Sequence, residues 1–318
     1  SDEDEEDVLE NGKGKPSRKQ QKKKRQSSER AAERRIETKE EALLGQGKVE
    51  SVQEFERLVV ASPNSSYIWI KYIAYFVAQA EIGKAREISE RALKAISFRE
   101  EKEKMNIWTA RLNLENMYGT DESLERVLKE AVQYCDPLQI HSRLADIYSD
   151  TNKVDKAESQ HRFICKKFRE RPHVWVEFGK WLFSQERGAE TSEVMDKALK
   201  AVHRTEHVQL ICKFAQLEFK HASPERGRTL FDSILSNYPK RVDVWSIYID
   251  TEKAYGDVKA VRRVMERATS LNLSTKKMKF LFTKYLDFEK EHGTEESANS
   301  VKEKAREYIR KKASGTSA

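Results

Sequence analysis

The run RVDVWSIYIDTEKAYGDVKAVRRVMERA, Arg241 to Ala268, decides the fold. Its first half places Trp245, Ile249 and Glu252 at offsets of zero, four and seven, which stack on one face of an α-helix. Gly256 interrupts the pattern, and a second stretch follows with Arg262, Arg267 and Ala268. The run therefore reads as two helices joined by a glycine turn. A pair of this size cannot bury its apolar stripe alone and needs neighbours of the same kind.

Working outward, the anchor position recurs at Trp69, Trp108, His141, Trp175, Ile211, Trp245 and Phe282, with spacings of 39, 33, 34, 36, 34 and 37 residues. Four residues after each anchor stand Ile73, Leu112, Ala145, Gly179, Ala215, Ile249 and Leu286. Seven after it stand Phe76, Glu115, Tyr148, Leu182, Glu218, Glu252 and Glu289. Breaks fall at Gly83, Gly119, Gly188, Gly256 and Gly293, where a residue tolerant of positive φ is expected to end a helix. Second helices carry small residues where two backbones approach, at Ala92, Ala131, Ala157, Ala198, Ala268 and Ala305. Pro63, Pro137, Pro172 and Pro239 stand between units, where they stop one helix and start the next. The pattern predicts an all-α, right-handed α-α superhelical solenoid of about seven helix pairs over residues 49–313, followed by a disordered end at 314–318.

Residues 1–48 are of another kind. Ser1 to Glu10 reads SDEDEEDVLE, and Lys13 to Arg25 reads KGKPSRKQQKKKR. Blocks of like charge without apolar partners cannot offset the entropy of ordering, so a largely disordered tail is expected. A short, frayed helix is expected over Ser27 to Leu44, with a thin stripe of Ile36, Leu43 and Leu44 and an end at Gly45 and Gly47. The chain begins with Ser rather than Met and reads as a piece of a longer protein.

Composition narrows the function. Lys and Arg number 60 against 53 Asp and Glu, a net charge of +7, which raises the expectation of an anionic partner. The most apolar stretch, Tyr67 to Ala80, is too short to span a bilayer and contains Lys71, so a soluble intracellular chain is expected. The three cysteines, Cys135, Cys165 and Cys212, show no disulfide or ligand spacing and read as buried thiols. Among the seven histidines only His203 and His207 share a helix face, and no carboxylate or thiol completes a metal site. No phosphate loop, nucleophile elbow or dinucleotide turn is present. The expectation is a non-enzyme without cofactor, metal or small-molecule substrate.

The order of aromatic anchor, Glu, Gly, Arg-Ala and Pro, best seen at Pro239, Trp245, Glu252, Gly256, Arg262, Arg267 and Ala268, resembles the half-a-TPR (HAT) repeat class. The third unit departs from it, with His141 at the anchor and Tyr148 at the Glu position. The runs Phe55 to Phe76 and Arg226 to Asp250 further resemble the HAT region at the C-terminus of a family of large ribosomal-RNA-processing proteins, in which S1 RNA-binding domains precede the repeats. That resemblance implies a nuclear and nucleolar scaffold for pre-rRNA processing and small-subunit precursor assembly. Its implied partners are pre-ribosomal proteins and pre-rRNA or snoRNA, with no membrane. Two alternatives share the architecture: a HAT scaffold of pre-mRNA splicing or 3′-end processing, and a direct RNA-binding module.

Three groups of residues are candidates for roles. Trp69, Trp108, Trp175 and Trp245 are expected as core anchors rather than base-stacking platforms, each contributing on the order of 2–3 kcal/mol by burial. Glu218 with Arg228, and Glu252 with Arg262, are ten residues apart and are expected to form ion pairs within a repeat. The basic clusters are expected to contact RNA or ribonucleoprotein: Lys22, Lys23, Lys24 and Arg25 in the tail; Lys166, Lys167, Arg169 and Arg171; Lys240 and Arg241; Lys276, Lys277 and Lys279. A further cluster, Arg310, Lys311 and Lys312, ends the last unit.

Overall fold

The computed structural model describes residues 51–314; the expectations for residues 1–48, the tail cluster Lys22 to Arg25 included, and for 315–318 lie outside the described residues. Every regular element among the described residues is helical. Two compact units divide the chain between Asn152 and Lys153. The first holds α1 (Val52–Ala61), α2 (Ser66–Ala78), α3 (Ile82–Ala95), α4 (Glu101–Tyr118), α5 (Asp121–Tyr134) and α6 (Pro137–Asp150). The second holds α7 (Val154–Lys167), α8 (Pro172–Ser184), a 3-10 turn (Gly188–Glu190), α9 (Thr191–Ala201), α10 (Arg204–His221) and α11 (Pro224–Asn237). It continues through α12 (Val242–Tyr255), α13 (Val258–Thr269), α14 (Thr275–His292) and α15 (Glu295–Ser314). The architecture is an all-α solenoid in which α2–α3, α4–α5, α8–α9, α10–α11, α12–α13 and α14–α15 are successive pairs.

Local chemistry sets the helix starts. Ser51, Ser65 and Asp257 accept the amides of Glu54, Ile68 and Ala260 and so cap α1, α2 and α13. Thr120 and Ser123 close a reciprocal capping box on α5. Pro137, Pro172 and Pro224 occupy the first turns of α6, α8 and α11, where a missing N–H leaves no bond unmade.

The anchors are inside. Trp69, Trp108, Trp175 and Trp245 keep 2%, 4%, 8% and 3% of their surface exposed, and His141 in the third unit is also buried. Three indoles donate to the carbonyl six residues upstream: Trp69 Nε1 to Pro63 O at 2.9 Å, Trp175 Nε1 to Arg169 O at 2.8 Å and Trp245 Nε1 to Pro239 O at 2.8 Å. The anchor thus ties the first helix of a pair to the turn that precedes it, satisfying the indole N–H that burial would otherwise orphan.

The structure corrects the reading of the break glycines. No break glycine has positive φ; Gly119, Gly256 and Gly293 sit at φ −100, −98 and −109. The left-handed residues are Ala80, Asn152 and Glu186, at φ 60, 57 and 59. Gly119, Gly256 and Gly293 are glycine for want of space, since a Cβ would lie 2.1 Å from a carboxylate oxygen of Glu115, Glu252 and Glu289 respectively. Helix α1 precedes the first anchor and has no partner of its own among the pairs. Its Phe55 stacks on Tyr72 at 4.8 Å and its Glu56 binds Arg91, as Phe231 of α11 stacks on Tyr248 at 4.7 Å and Asp232 binds Arg267. Toward α2–α3, α1 plays the part that α11 plays toward α12–α13.

Candidate functional site

At three junctions the glutamate seven residues after the anchor bonds an arginine from the preceding helix and not the arginine of its own pair that the spacing suggested. The second helix of a pair lies against the first helix of the next, so an arginine one turn into it faces the neighbour's glutamate. Arg86 of α3 grips Glu115 of α4 with two bonds, Nε to Oε1 at 2.7 Å and Nη2 to Oε2 at 3.0 Å. Arg228 of α11 does the same to Glu252 of α12, Nε lying 3.2 and 3.1 Å from the two oxygens while Nη2 binds Oε1. Arg262 of α13 holds Glu289 of α14 at 2.8 and 3.1 Å. The carboxylates are 5%, 0% and 1% exposed.

The clamps share one support, and two of them a second. The glycine four residues after the glutamate leaves room for its head, and at two clamps a serine four residues further donates to it: Ser123 Oγ to Glu115 at 2.6 Å and Ser297 Oγ to Glu289 at 2.7 Å. Burial pushes the Glu115 carboxyl up, but the bonds from Arg86 and Ser123 outweigh it and hold it below the ordinary range. The Arg262 guanidinium, against a smaller burial effect, holds Glu289 below that range as well. The repeated pentads GTDES (Gly119–Ser123) and GTEES (Gly293–Ser297) are the signal that sequence reading missed.

Other junctions differ. The residue at the arginine's place is Glu158 in α7, and it binds Arg187 beyond α8 at 2.6 Å, reversing the polarity. Arg187, then Arg162, holds the Glu158 carboxyl at about 2. In α9 the place is taken by Ser192, and Glu218 is bonded instead by Thr191 Oγ1 at 3.1 Å, with Arg226 of its own pair 3.9 Å away. Between α5 and α6 the places hold Glu125, which pairs with Lys129 in its own helix, and Tyr148; there Asn116 donates to Thr151 at 3.1 Å.

The basic clusters of the second unit occupy a common place, the turns from a second helix to the next first helix. Lys166, Lys167, Arg169 and Arg171 surround the α7–α8 turn, Lys240 and Arg241 the α11–α12 turn, and Lys276, Lys277 and Lys279 open α14. All are exposed except Arg241, which is half-buried and spent on Asp243 in two bonds of 2.8 and 2.7 Å. Lys200 and Arg204 add exposed cations at the α9–α10 turn, which sequence reading passed over. Lys311 pairs with Glu307 at 2.7 Å.

Among the described residues no group of His, Cys, Asp or Glu is arranged to hold a metal, and no helix is long and apolar enough to cross a membrane. His203 accepts the Thr205 amide, while His207 Nε2 meets Val202 O at 3.0 Å, so the pair does not converge.

Comparison with known proteins agrees with this geometry. The family model described as the pre-mRNA-splicing factor Syf1/CRNKL1 C-terminal HAT repeat matches residues 58–315. A mouse protein named "Protein RRP5 homolog" is 47% identical over 89% of this chain and 15% of its own length. The "rRNA biogenesis protein rrp5" of Schizosaccharomyces pombe is 45% identical over 80% of this chain and 15% of its own length. The Arabidopsis thaliana "rRNA biogenesis protein RRP5" is 43% identical over 87% of this chain and 14% of its own length. The chain thus spans about one seventh of the curated relatives it matches.

Proposed function

The chain belongs to the HAT-repeat family, and on that premise we propose that it is a scaffold in ribosome biogenesis. Its role is to hold pre-ribosomal proteins, and with them pre-rRNA or snoRNA, during small-subunit precursor assembly in the nucleolus. The observation that carries this reading is the 43–47% identity to proteins named for rRNA biogenesis across mouse, plant and fission yeast. The clamps and indole posts support a scaffold, because they place the recurrent polar residues between helices rather than around a shared pocket.

The matching family model is named for a splicing factor, which favours a second reading, a splicing scaffold. The pairwise identities weigh against it, since architecture alone does not separate functions. Cross-linking mass spectrometry of the tagged chain in nuclear extract tests the choice. Recovery of small-subunit precursor proteins is the expected result. Recovery of spliceosomal proteins in their place would overturn it.

A further inference from the structure

The two sets of turns in the second unit treat their cations differently. At the turns inside pairs the arginines nearest the break are held, Arg187 by Glu158 and Glu190, Arg226 by Ser192 and Glu218, and Arg228 by Glu252 and Glu225, while Lys220, Lys259 and Arg263 stand exposed and singly among nearby acids such as Asp257 and Glu266. At the turns between pairs Arg241 is held by Asp243, but the other cations gather in clusters without such partners. Lys166, Arg169 and Arg171, then Lys200 and Arg204, then Lys240, then Lys276, Lys277 and Lys279 are exposed, and none forms an ion pair with another described residue. The acids that share these turns, Glu170, Glu206 and Asp243, are fewer than the cations, and between Glu266 and Asp287 there is no acidic residue at all. In a stack of antiparallel helix pairs, successive turns of one kind fall on one edge. The second unit therefore carries an edge of uncompensated positive charge that recurs once per repeat.

Exposed rings stand among these cations. Tyr238 is 54% exposed two residues before Lys240, and Phe280 is 45% exposed beside Lys279. An acidic peptide would be attracted by the lysines but gains little from a ring turned to solvent. A single-stranded nucleic acid uses both, phosphates on the cations and unpaired bases on the rings. We propose that the turns between pairs in the second unit form a sequence-tolerant surface for single-stranded RNA, with the Lys276–Lys279 cluster and Phe280 at one end and Tyr238 with Lys240 as the neighbouring step. That the polyanion is RNA rests on the ribosome-biogenesis reading; the surface itself rests on the charges and rings.

The test is fluorescence anisotropy of a labelled oligouridylate with the full chain, over a series of salt concentrations. For single strands each phosphate contact adds about 0.7 to the slope of log affinity against log salt. The variant Lys276→Gln/Lys277→Gln/Lys279→Gln is expected to flatten the slope by about 2 and to weaken binding at low salt at least about tenfold. Tyr238→Ala/Phe280→Ala is expected to weaken oligouridylate but not polyglutamate binding, with the salt slope unchanged. Helicity by circular dichroism checks that both variants fold. The proposal falls if only a variant in which Lys22, Lys23, Lys24 and Arg25 are replaced by Gln changes the slope, which would assign RNA binding to the tail. It falls equally if polyglutamate displaces the RNA and the ring variant changes nothing, which would make the edge a site for acidic protein. Either failure leaves recovery of precursor proteins by the full chain intact, so the scaffold reading is judged separately.

Discussion

Replacing Gly256 by alanine should unlock the junction between α11 and α12, and the reason is a carboxylate rather than a backbone angle. The glycine sits at φ −98 and ψ −169, open to any residue. Backbone entropy alone would make Gly256→Ala neutral or stabilising by up to about 1 kcal/mol. The new Cβ, however, would lie 2.1 Å from Glu252 Oε1 and 2.8 Å from both its Cδ and its carbonyl oxygen. Glu252 is fully buried, so its head has no solvent to retreat into, and moving it breaks the bidentate grip of Arg228. Loss of one side of a buried ion pair costs about 3–5 kcal/mol, so a net destabilisation of about 3 kcal/mol is expected.

A double-mutant cycle isolates that cause. Glu252→Ala alone should cost about 3–5 kcal/mol, and Gly256→Ala should cost about 2 kcal/mol less in that background than in the native chain. The contact with the residue-252 carbonyl is present in both arms and cancels. Urea unfolding followed by tryptophan fluorescence gives the free energies. Amide exchange across α11 and α12 shows whether the loss is local, as expected where each repeat contacts only its neighbours. If Gly256→Ala costs the same with and without the Glu252 carboxylate, the glycine is required by the backbone and the argument is wrong. Gly83→Ala is the control; nothing lies within 4 Å of its Cβ, and it should be neutral or slightly stabilising.

Trp245→Ala should lose about 3–5 kcal/mol through the cavity it leaves, whereas Trp245→Phe, which forfeits the bond to Pro239 O but keeps most of the packing, should lose about 1–2 kcal/mol by the same unfolding assay. Glu158 is held at about 2, below the ordinary carboxylate value of 4.5, so the folded state binds its proton less readily than the unfolded chain does. Its stabilisation is present above about pH 4.5 and is lost as pH falls toward 2; Glu158→Gln should flatten the acid limb of a stability profile over that window, and an unchanged limb would mean the Arg187 bridge is not formed. Burial pushes the Cys165 and Cys212 thiols up to about 12 and about 11; it raises the Cys135 thiol as well, but Cys135 is only half-buried and so open to a reagent. A thiol-reactive dye at pH 8 should therefore label one cysteine quickly and two only on unfolding; rapid labelling of Cys165 would place it at the surface.

The solenoid was legible because its signal is periodic: an anchor every 33–39 residues with companions four and seven positions later can only be one face of a recurring helix. What stayed hidden is set by neighbours rather than by period. Sequence spacing puts Arg262 ten residues from Glu252 and 27 from Glu289, and the shorter separation looks like the pair. Packing decides otherwise, because the arginine's face of α13 is turned to α14. Gly256 is equally deceptive, since a glycine at a helix end suggests positive φ, and only the side-chain contacts reveal that it makes room. Arg241 looked like a free cation until Asp243, two residues on, was seen to hold it at 2.7 Å. The chemistry of single residues could be read; which residue each would meet could not.

The junctions that lack the arginine show what is being maintained. At the α7–α8 step the charges are exchanged, Glu158 standing where Arg86 stands and Arg187 supplying the cation, yet the separation along the chain, 29 residues, is that of Arg86 from Glu115. At Glu218 the cation comes from Arg226, in the same pair as the glutamate, at a looser 3.9 Å, and Thr191 takes over the hydrogen bond. A buried charge is tolerated only when an opposite charge or a donor reaches it, and that requirement names no side of the junction. Sequence drift can therefore move the cation from one helix to its neighbour while the helix contact keeps its geometry. It also follows that Glu218, whose second oxygen has no hydrogen-bond partner, sits at the least compensated of these junctions. Glu218→Gln should cost less there than Glu252→Gln costs at its own clamp, because only at the latter does removing the charge strand a guanidinium aligned to both oxygens.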